Sequence, residues 1–172
     1  TLTNCTLAGN SVTGYFGDSY GGGAIYATLN NCTLRGNSAT VGGGAYGATL
    51  NNCALTGNSA LGDGGGVYRG TLNDCTLTGN SAHRRGGGAY HSTLYNCTLT
   101  DNSLEDECGT TDAGGGASDS TLYDCILTGN SARQGGGAAY GTLNNCTLTG
   151  NSASDGGGAY GGILSHCTLT NN

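Results

Sequence analysis

A chain of 172 residues with 36 glycines, no proline and only 9% charged residues lacks the charge and proline that mark a disordered glycine-rich segment. The net charge of -6 and the five scattered arginines (Arg35, Arg69, Arg84, Arg85, Arg133) exclude the dense basic footprint of a nucleic-acid partner. No stretch approaches the run of about 18 apolar residues that spans a bilayer, so no transmembrane segment is expected.

From the first residues the chain repeats itself. T-L-T-N-C-T-L-A-G-N-S opens it, a variable stretch follows near residues 13 to 20, and G-G-G-A closes the unit at 21 to 24. The next copies read T-L-N-N-C-T-L-T-G-N-S-A, a short turn, then G-G-G-A-Y. One cysteine marks the phase of each copy: Cys5, Cys32, Cys53, Cys75, Cys97, Cys125, Cys146 and Cys167. Their spacings of 27, 21, 22, 22, 28, 21 and 21 define a unit of 21 or 22 residues with two insertions, near 13 to 20 and 104 to 113.

Aligning the copies gives uninterrupted rows. Leu2, Leu29, Leu50, Leu72, Leu94, Leu122, Leu143 and Leu164 make one; Leu7, Leu34, Leu55, Leu77, Leu99, Leu127, Leu148 and Leu169 another. Asn10, Asn37, Asn58, Asn80, Asn102, Asn130, Asn151 and Asn172 make a third. Identical residues at one phase are the signature of coils stacked in parallel and in register. C-T-L-T alternates with the period of a strand. In T-L-N-N-C both Leu and Cys must face inward, so the chain bends at the second Asn or Asp, residues that accept left-handed backbone angles. These observations predict an all-β, single-stranded right-handed parallel β-helix (β-solenoid), one domain over 1–172 of about eight coils. Three strands are expected per coil, around G-A-Y, T-L-N and C-T-L-T. Two Leu, one Cys and small residues such as Ala39, Ala60 and Val12 should fill each coil. Eight coils would make a rod of roughly 38 Å.

The terminal rungs, Leu2, Cys5 and Leu7 at one end and Leu164, Cys167 and Leu169 at the other, carry no polar cap. The chain is therefore expected to be an excerpt of a longer one or a subunit that self-associates end to end into a fibre.

The eight in-phase cysteines read as buried reduced thiols, because parallel side chains in stacked coils do not suit bridge geometry. Zinc is disfavoured: there is no C-x-x-C pair, and His83, His91 and His166 fall at different phases. Cys108, in the second insertion, stands apart as a free or intermolecular thiol. No metal site and no cofactor are expected, and the glycine triplets are read as tight corners and points of close coil approach rather than a phosphate cradle.

Three outward features are candidate binding surfaces. Beyond the row Thr1, Thr28, Thr49, Thr71, Thr93, Thr121 and Thr142, a second face carries paired threonines: Thr76 with Thr78, Thr98 with Thr100, Thr147 with Thr149, and Thr168 with Thr170. These ranks resemble the ice-binding faces of β-solenoid antifreeze proteins, with Ala8, Arg35, Ala54 and Ile126 interrupting them; exposed strands favour Thr in any case. Tyr46, Tyr68, Tyr90 and Tyr160 share one phase and would stack on sugars or on another rod if they face outward. Glu105, Asp106, Glu107 and Asp112 form the one acidic cluster, a weak calcium candidate. Convergent catalytic carboxylates are not evident, and no enzyme is expected.

The motif N-C-T-L-T-G-N-S-A followed by G-G-G-A-Y resembles the right-handed parallel β-helix repeats of bacterial surface proteins, including polymorphic outer-membrane proteins and autotransporter-like adhesins. That resemblance implies an extracellular or cell-surface structural rod or filament module with adhesive capacity. An ice-binding protein using the Thr-x-Thr faces is the alternative, and a polysaccharide-binding or polysaccharide-active β-helix the third reading. The outside partner would be a carbohydrate or ice surface.

Overall fold

The computed structural model describes residues 1–14, 19–105 and 113–172, and every regular element among them is a short β-strand. The third coil shows the plan. Its strands are Thr49–Asn51, Ala54–Thr56, Ser59–Ala60 and Val67–Tyr68. Each pairs in parallel with the matching strand of the coils on either side, so that Leu72, for example, lies in register between Leu50 and Leu94. Four parallel sheets result, here named T-L-N, T-L-T, S-A and A-Y, with eight, eight, six and seven strands respectively. The expected β-solenoid is present.

Two expectations need correction. A coil has four sides, not three, because Ser-Ala forms a strand of its own. Six turns are complete on all four sides, from Thr28–Asn30 to Ala159–Tyr160, and the eight rungs foreseen are realised only on the T-L-N and T-L-T sheets. A two-residue strand is too short for its alternation to be legible in sequence.

One left-handed residue turns the chain at each corner. In the third coil these are Asn52 (φ 52°), Gly57 (φ 60°), Gly64 (φ 69°) and Arg69 (φ 52°). The first is the bend expected at the second Asn or Asp, and it recurs at Asn4, Asn31, Asp74, Asn96, Asp124, Asn145 and His166. The left-handed corner lets both flanking strands aim apolar side chains at the same interior.

Leucines of the two rows fill that interior: twelve, from Leu29 to Leu148, are fully buried, and they pack with the ladder cysteines and small Ala residues. Ala39 and Ala60 are buried as expected, whereas Val12 is 40% exposed. At roughly 1.5–3 kcal/mol for each Leu withdrawn from water, the two rows are the main driving force.

The asparagine row is equally internal. Asn80 Nδ2 donates to Asn102 Oδ1 at 2.9 Å and to the Leu55 carbonyl at 3.0 Å, while its Oδ1 accepts from Asn58 N at 3.0 Å and Asn58 Nδ2 at 2.9 Å. Every donor and acceptor of the amide is used, and the same pattern runs from Asn37 through Asn151. A buried polar group is tolerated only on such terms. No buried side-chain nitrogen or oxygen among the described residues lacks a partner.

Candidate functional site

Alternation along the T-L-T strands sends Leu77 and Leu99 inward and the flanking threonines outward. Register then aligns those threonines between coils: Thr76 with Thr98 and Thr78 with Thr100, and further along Thr147 with Thr168 and Thr149 with Thr170. Thr56 and Thr128 complete the second row, so Thr56, Thr78, Thr100, Thr128, Thr149 and Thr170 run unbroken over six rungs. In the first row Ile126 stands between Thr98 and Thr147 and is 48% exposed. Rungs lie about 4.8 Å apart and the two rows about 6.7 Å apart along the strand. Among the described residues no hydrogen bond engages the hydroxyls of these threonines.

The neighbouring T-L-N face is different. Beside its threonines, Asn51 donates to Asn30 and Asn73 to Asn51, each at 2.8 Å, and Tyr95 stacks on Tyr123 with centroids 5.1 Å apart. Asparagine amides and tyrosine rings there pair with one another, whereas the single threonine row, like those of the T-L-T face, has no hydroxyl hydrogen bond among the described residues.

On the A-Y sheet, Ala45, Val67 and Ala89 belong to the core, which puts the tyrosines on the outside. They do not offer free ring faces. Tyr46 and Tyr68 are stacked with centroids 5.1 Å apart and planes 5° from parallel, and Tyr68 meets Tyr90 at 5.4 Å. Tyr20 and Tyr26 meet Tyr46 edge-on. Tyr90 is only 3% exposed, with the Arg85 guanidinium 4.7 Å from its centroid and held there by Asp63 through hydrogen bonds of 3.1 and 3.2 Å. Ser118 and Ala139 separate this group from Tyr160, whose ring meets Tyr140 edge-on. The row is thus a self-stacked ladder, a geometry that favours holding coils together over stacking on a sugar.

Of the acidic cluster, Glu105 lies 3.8 Å from His83. Asp106, Glu107 and Asp112, with Cys108, lie outside the described residues. Among those described, no group of three or more His, Cys, Asp or Glu is placed to hold a metal ion.

A row that sequence reasoning missed follows each A-Y strand: Tyr26, Arg69, His91, Asp119 and Tyr140 all have positive φ, between 47° and 54°. Bulky side chains rarely adopt this conformation. Nothing in the variable identities at that position signals a corner, since the glycine expected there appears only at Gly47 and Gly161.

No family model matches this sequence. No curated protein matches it either. Among solved structures it is similar to the crystal structure of the Dettilon tailspike protein, at 13% identity and a TM-score of 0.42, over 98% of this chain and 38% of that one. The finer likeness to polymorphic outer-membrane protein and autotransporter repeats has no support from these comparisons.

Inside the rod the cysteines form a file of their own. All eight described are free. The backbone N–H of Cys75 points at Cys97 Sγ, 3.4 Å away, and Cys75 Sγ donates to the Asn73 carbonyl at 3.2 Å. The next thiol along the file, opposed by the hydrogen bond from the previous one and reinforced by burial, pushes Cys97 and Cys125 up to about 12. An unfolded chain would return them to roughly 8.5 and release their protons first. Their contribution to stability is therefore whole below about pH 8.5 and is lost as the pH rises toward 12. Urea midpoints should stay level through neutral pH and decline steadily above about pH 8.5, with Cys97→Ala reducing the slope. A midpoint independent of pH across that window would contradict the assignment.

Proposed function

We propose that this chain is an extracellular structural rod that adheres to a flat, periodic surface through the threonine face of its T-L-T sheet. The observation that carries the reading is the register of two outward threonine rows whose hydroxyls have no partner within the described residues. Threonine is stiff at χ1, so its methyl and hydroxyl are already ordered, and binding to an equally regular partner costs little further entropy. The T-L-N face carries one such threonine row rather than two, beside asparagine amides that pair with one another, and the rings of the A-Y face are self-stacked. Extracellular display is the setting implied by the resemblance to surface-protein repeats, and thiols as buried as these are compatible with an oxidising medium.

The carboxylates support adhesion over catalysis. Asp63 is held by Arg85, Asp74 accepts from Asn96, and Asp124 accepts from Asn145. These three acids are committed to structural partners, whereas glycoside hydrolysis uses a facing pair of carboxyl groups.

Ice is a second reading of the same face, favoured by the same free hydroxyls at regular intervals. The test is a double variant, Thr78→Arg with Thr100→Arg, compared with the unmodified protein for partition into growing ice and for cosedimentation with insoluble polysaccharides. The unmodified protein should bind one of these surfaces, and the variant should bind it about tenfold less, equivalent to roughly 1.4 kcal/mol, with its β-sheet spectrum unchanged. Undiminished binding by the variant would move the adhesive site elsewhere, and uptake by growing ice alone would decide for ice.

A further inference from the structure

The threonine face and the self-stacked tyrosine ladder leave one corner of the rod unaccounted for, the one that joins each A-Y strand to the T-L-N strand after it. Tyr26, Arg69, His91, Asp119 and Tyr140 turn the chain there, with Gly47 and Gly161 completing the row, all at positive φ. Among the described residues the other three corners are turned by Gly, Asn or Asp, His166 excepted. Those residues accept left-handed angles readily, whereas Tyr, Arg and His add strain that glycine would avoid. Backbone strain of this kind concentrates at ligand sites.

The same arrangement is built twice along the row. The Tyr26 ring leans over Gly47 of the next coil, where a Cβ would come within 2.6 Å of Cε1, and meets Tyr46 edge-on with planes 84° apart. The Tyr140 ring leans over Gly161, where a Cβ would come within 3.0 Å of Cδ1, and meets Tyr160 with planes 86° apart. Propped off the ladder in this way, Tyr26 and Tyr140 remain 74% and 50% exposed. Between Gly47 and Tyr140, successive coils carry a cation, an imidazole and a carboxylate. Arg69 and His91 are exposed and rest against Tyr68 and Tyr90, at 5.3 and 4.2 Å from the ring centroids, and Asp119 accepts the Ser118 hydroxyl at 3.1 Å.

Rings at both ends with hydrogen-bonding groups between them suit a ligand that carries both apolar and polar surface. The opposite charges of Arg69 and Asp119 suit one with no charge of its own. A pyranose meets both demands, with C–H groups for the negative face of an aromatic ring and hydroxyls at its rim. From Tyr26 to Tyr140 is five coil steps, roughly 24 Å along the rod, which calls for an extended chain of such units. A peptide strand is disfavoured, because the backbone N–H groups of Gly47, Arg69, His91, Asp119 and Tyr140 already donate to the next coil and leave no sheet edge to extend. We infer that this corner is a linear binding site for an extended neutral polysaccharide, with pyranose rings stacked on Tyr26 and Tyr140 and hydroxyls bonded to Arg69, His91 and Asp119.

Calorimetry on the full chain tests this with cellohexaose, β-1,4-mannohexaose and chitohexaose, and with maltohexaose, whose α-linkages curl the chain, as the comparison. At least one of the three extended sugars should bind, and maltohexaose about tenfold more weakly or worse. Tyr26→Gly and Tyr140→Gly should each weaken that binding about tenfold, with the β-sheet spectrum retained, since glycine relieves the corner as the ring contact is lost. Tyr26→Asn, which also accepts the left-handed angle, repeats the measurement should the glycine variant fail to fold. Tyr95→Ala removes an exposed ring from the T-L-N face and should bind as the unmodified protein does. No binding of any extended sugar, equal binding of maltohexaose, undiminished binding by the Tyr26 and Tyr140 variants, or equal weakening by Tyr95→Ala would each overturn the inference. The threonine rows are untouched in all of these proteins, so such a failure is distinct from failure of the adhesive reading of that face.

Discussion

Replacing Asn80 with alanine should lower stability by about 4 kcal/mol, more than most single substitutions cost. The side chain is fully buried, and its removal leaves three groups in neighbouring coils short of a partner. Asn58 N and Nδ2 lose the oxygen they share, and the Leu55 carbonyl loses its amide donor. At roughly 1–3 kcal/mol for each unsatisfied buried group, partial relaxation still leaves a large penalty. Aspartate is no remedy, because a carboxylate would set oxygen against the Leu55 carbonyl and Asn102 Oδ1, both acceptors. Asn52→Ala is the control: Asn52 is exposed, donates only to Asn31 Oδ1, and sits at a left-handed corner (φ 52°), so alanine there should cost about 1–2 kcal/mol, the backbone strain alone. Urea unfolding of the three proteins measures the difference, and a loss at Asn80 no greater than at Asn52 would show the ladder to be passive filling.

Why this ladder was legible only in part follows from what a repeat displays. The Asn row was evident from phase alone, but phase cannot say whether a polar row is internal. Only the partners of Asn80 above and below do. The two Leu rows and the bend at Asn52 were readable because apolar alternation and left-handed propensity each have a local signature. Ser59–Ala60 escaped notice as a strand because two residues following Gly-Asn look like the remainder of a turn. The direction of Tyr46 and Tyr68 was undetermined for a related reason: Gly42 to Gly44 reset the alternation, so parity cannot be carried across them from the Leu rows. The threonine face was legible as a pattern, apart from Thr56 and Thr128, since strand parity and repeat phase together place Thr78 and Thr100 side by side on the outside. That its hydroxyls are unengaged while those groups around Asn51 and Tyr95 are paired is a property of three dimensions.

Gly65→Ala should be at least as damaging, for a reason that is steric rather than conformational. The φ of Gly65 is not left-handed, so its backbone would admit alanine in isolation. In the stack, however, a Cβ at that position would overlap the carbonyl oxygens of Ser81 and Gly87 in the next coil. Both are backbone atoms within paired segments: Gly87 O accepts from Gly66 N at 3.1 Å. No side-chain rotation can make room, and the two coils must separate locally, giving up hydrogen bonds and leucine contacts together. A cost above about 3 kcal/mol is expected, at or beyond the usual range for overpacking. Gly57→Ala isolates the other contribution, since Gly57 has φ +60° and nothing within 4 Å of an added Cβ. There the cost should be left-handed strain alone, about 1–2 kcal/mol, and Gly57→Asn should recover part of it. Hydrogen exchange would localise the difference: faster exchange confined to the amides around Gly65 and Gly87 in the first variant, and a near-native pattern in the second. If Gly65→Ala instead unfolds at the same urea concentration as Gly57→Ala, close approach of coils is not what the glycine row secures.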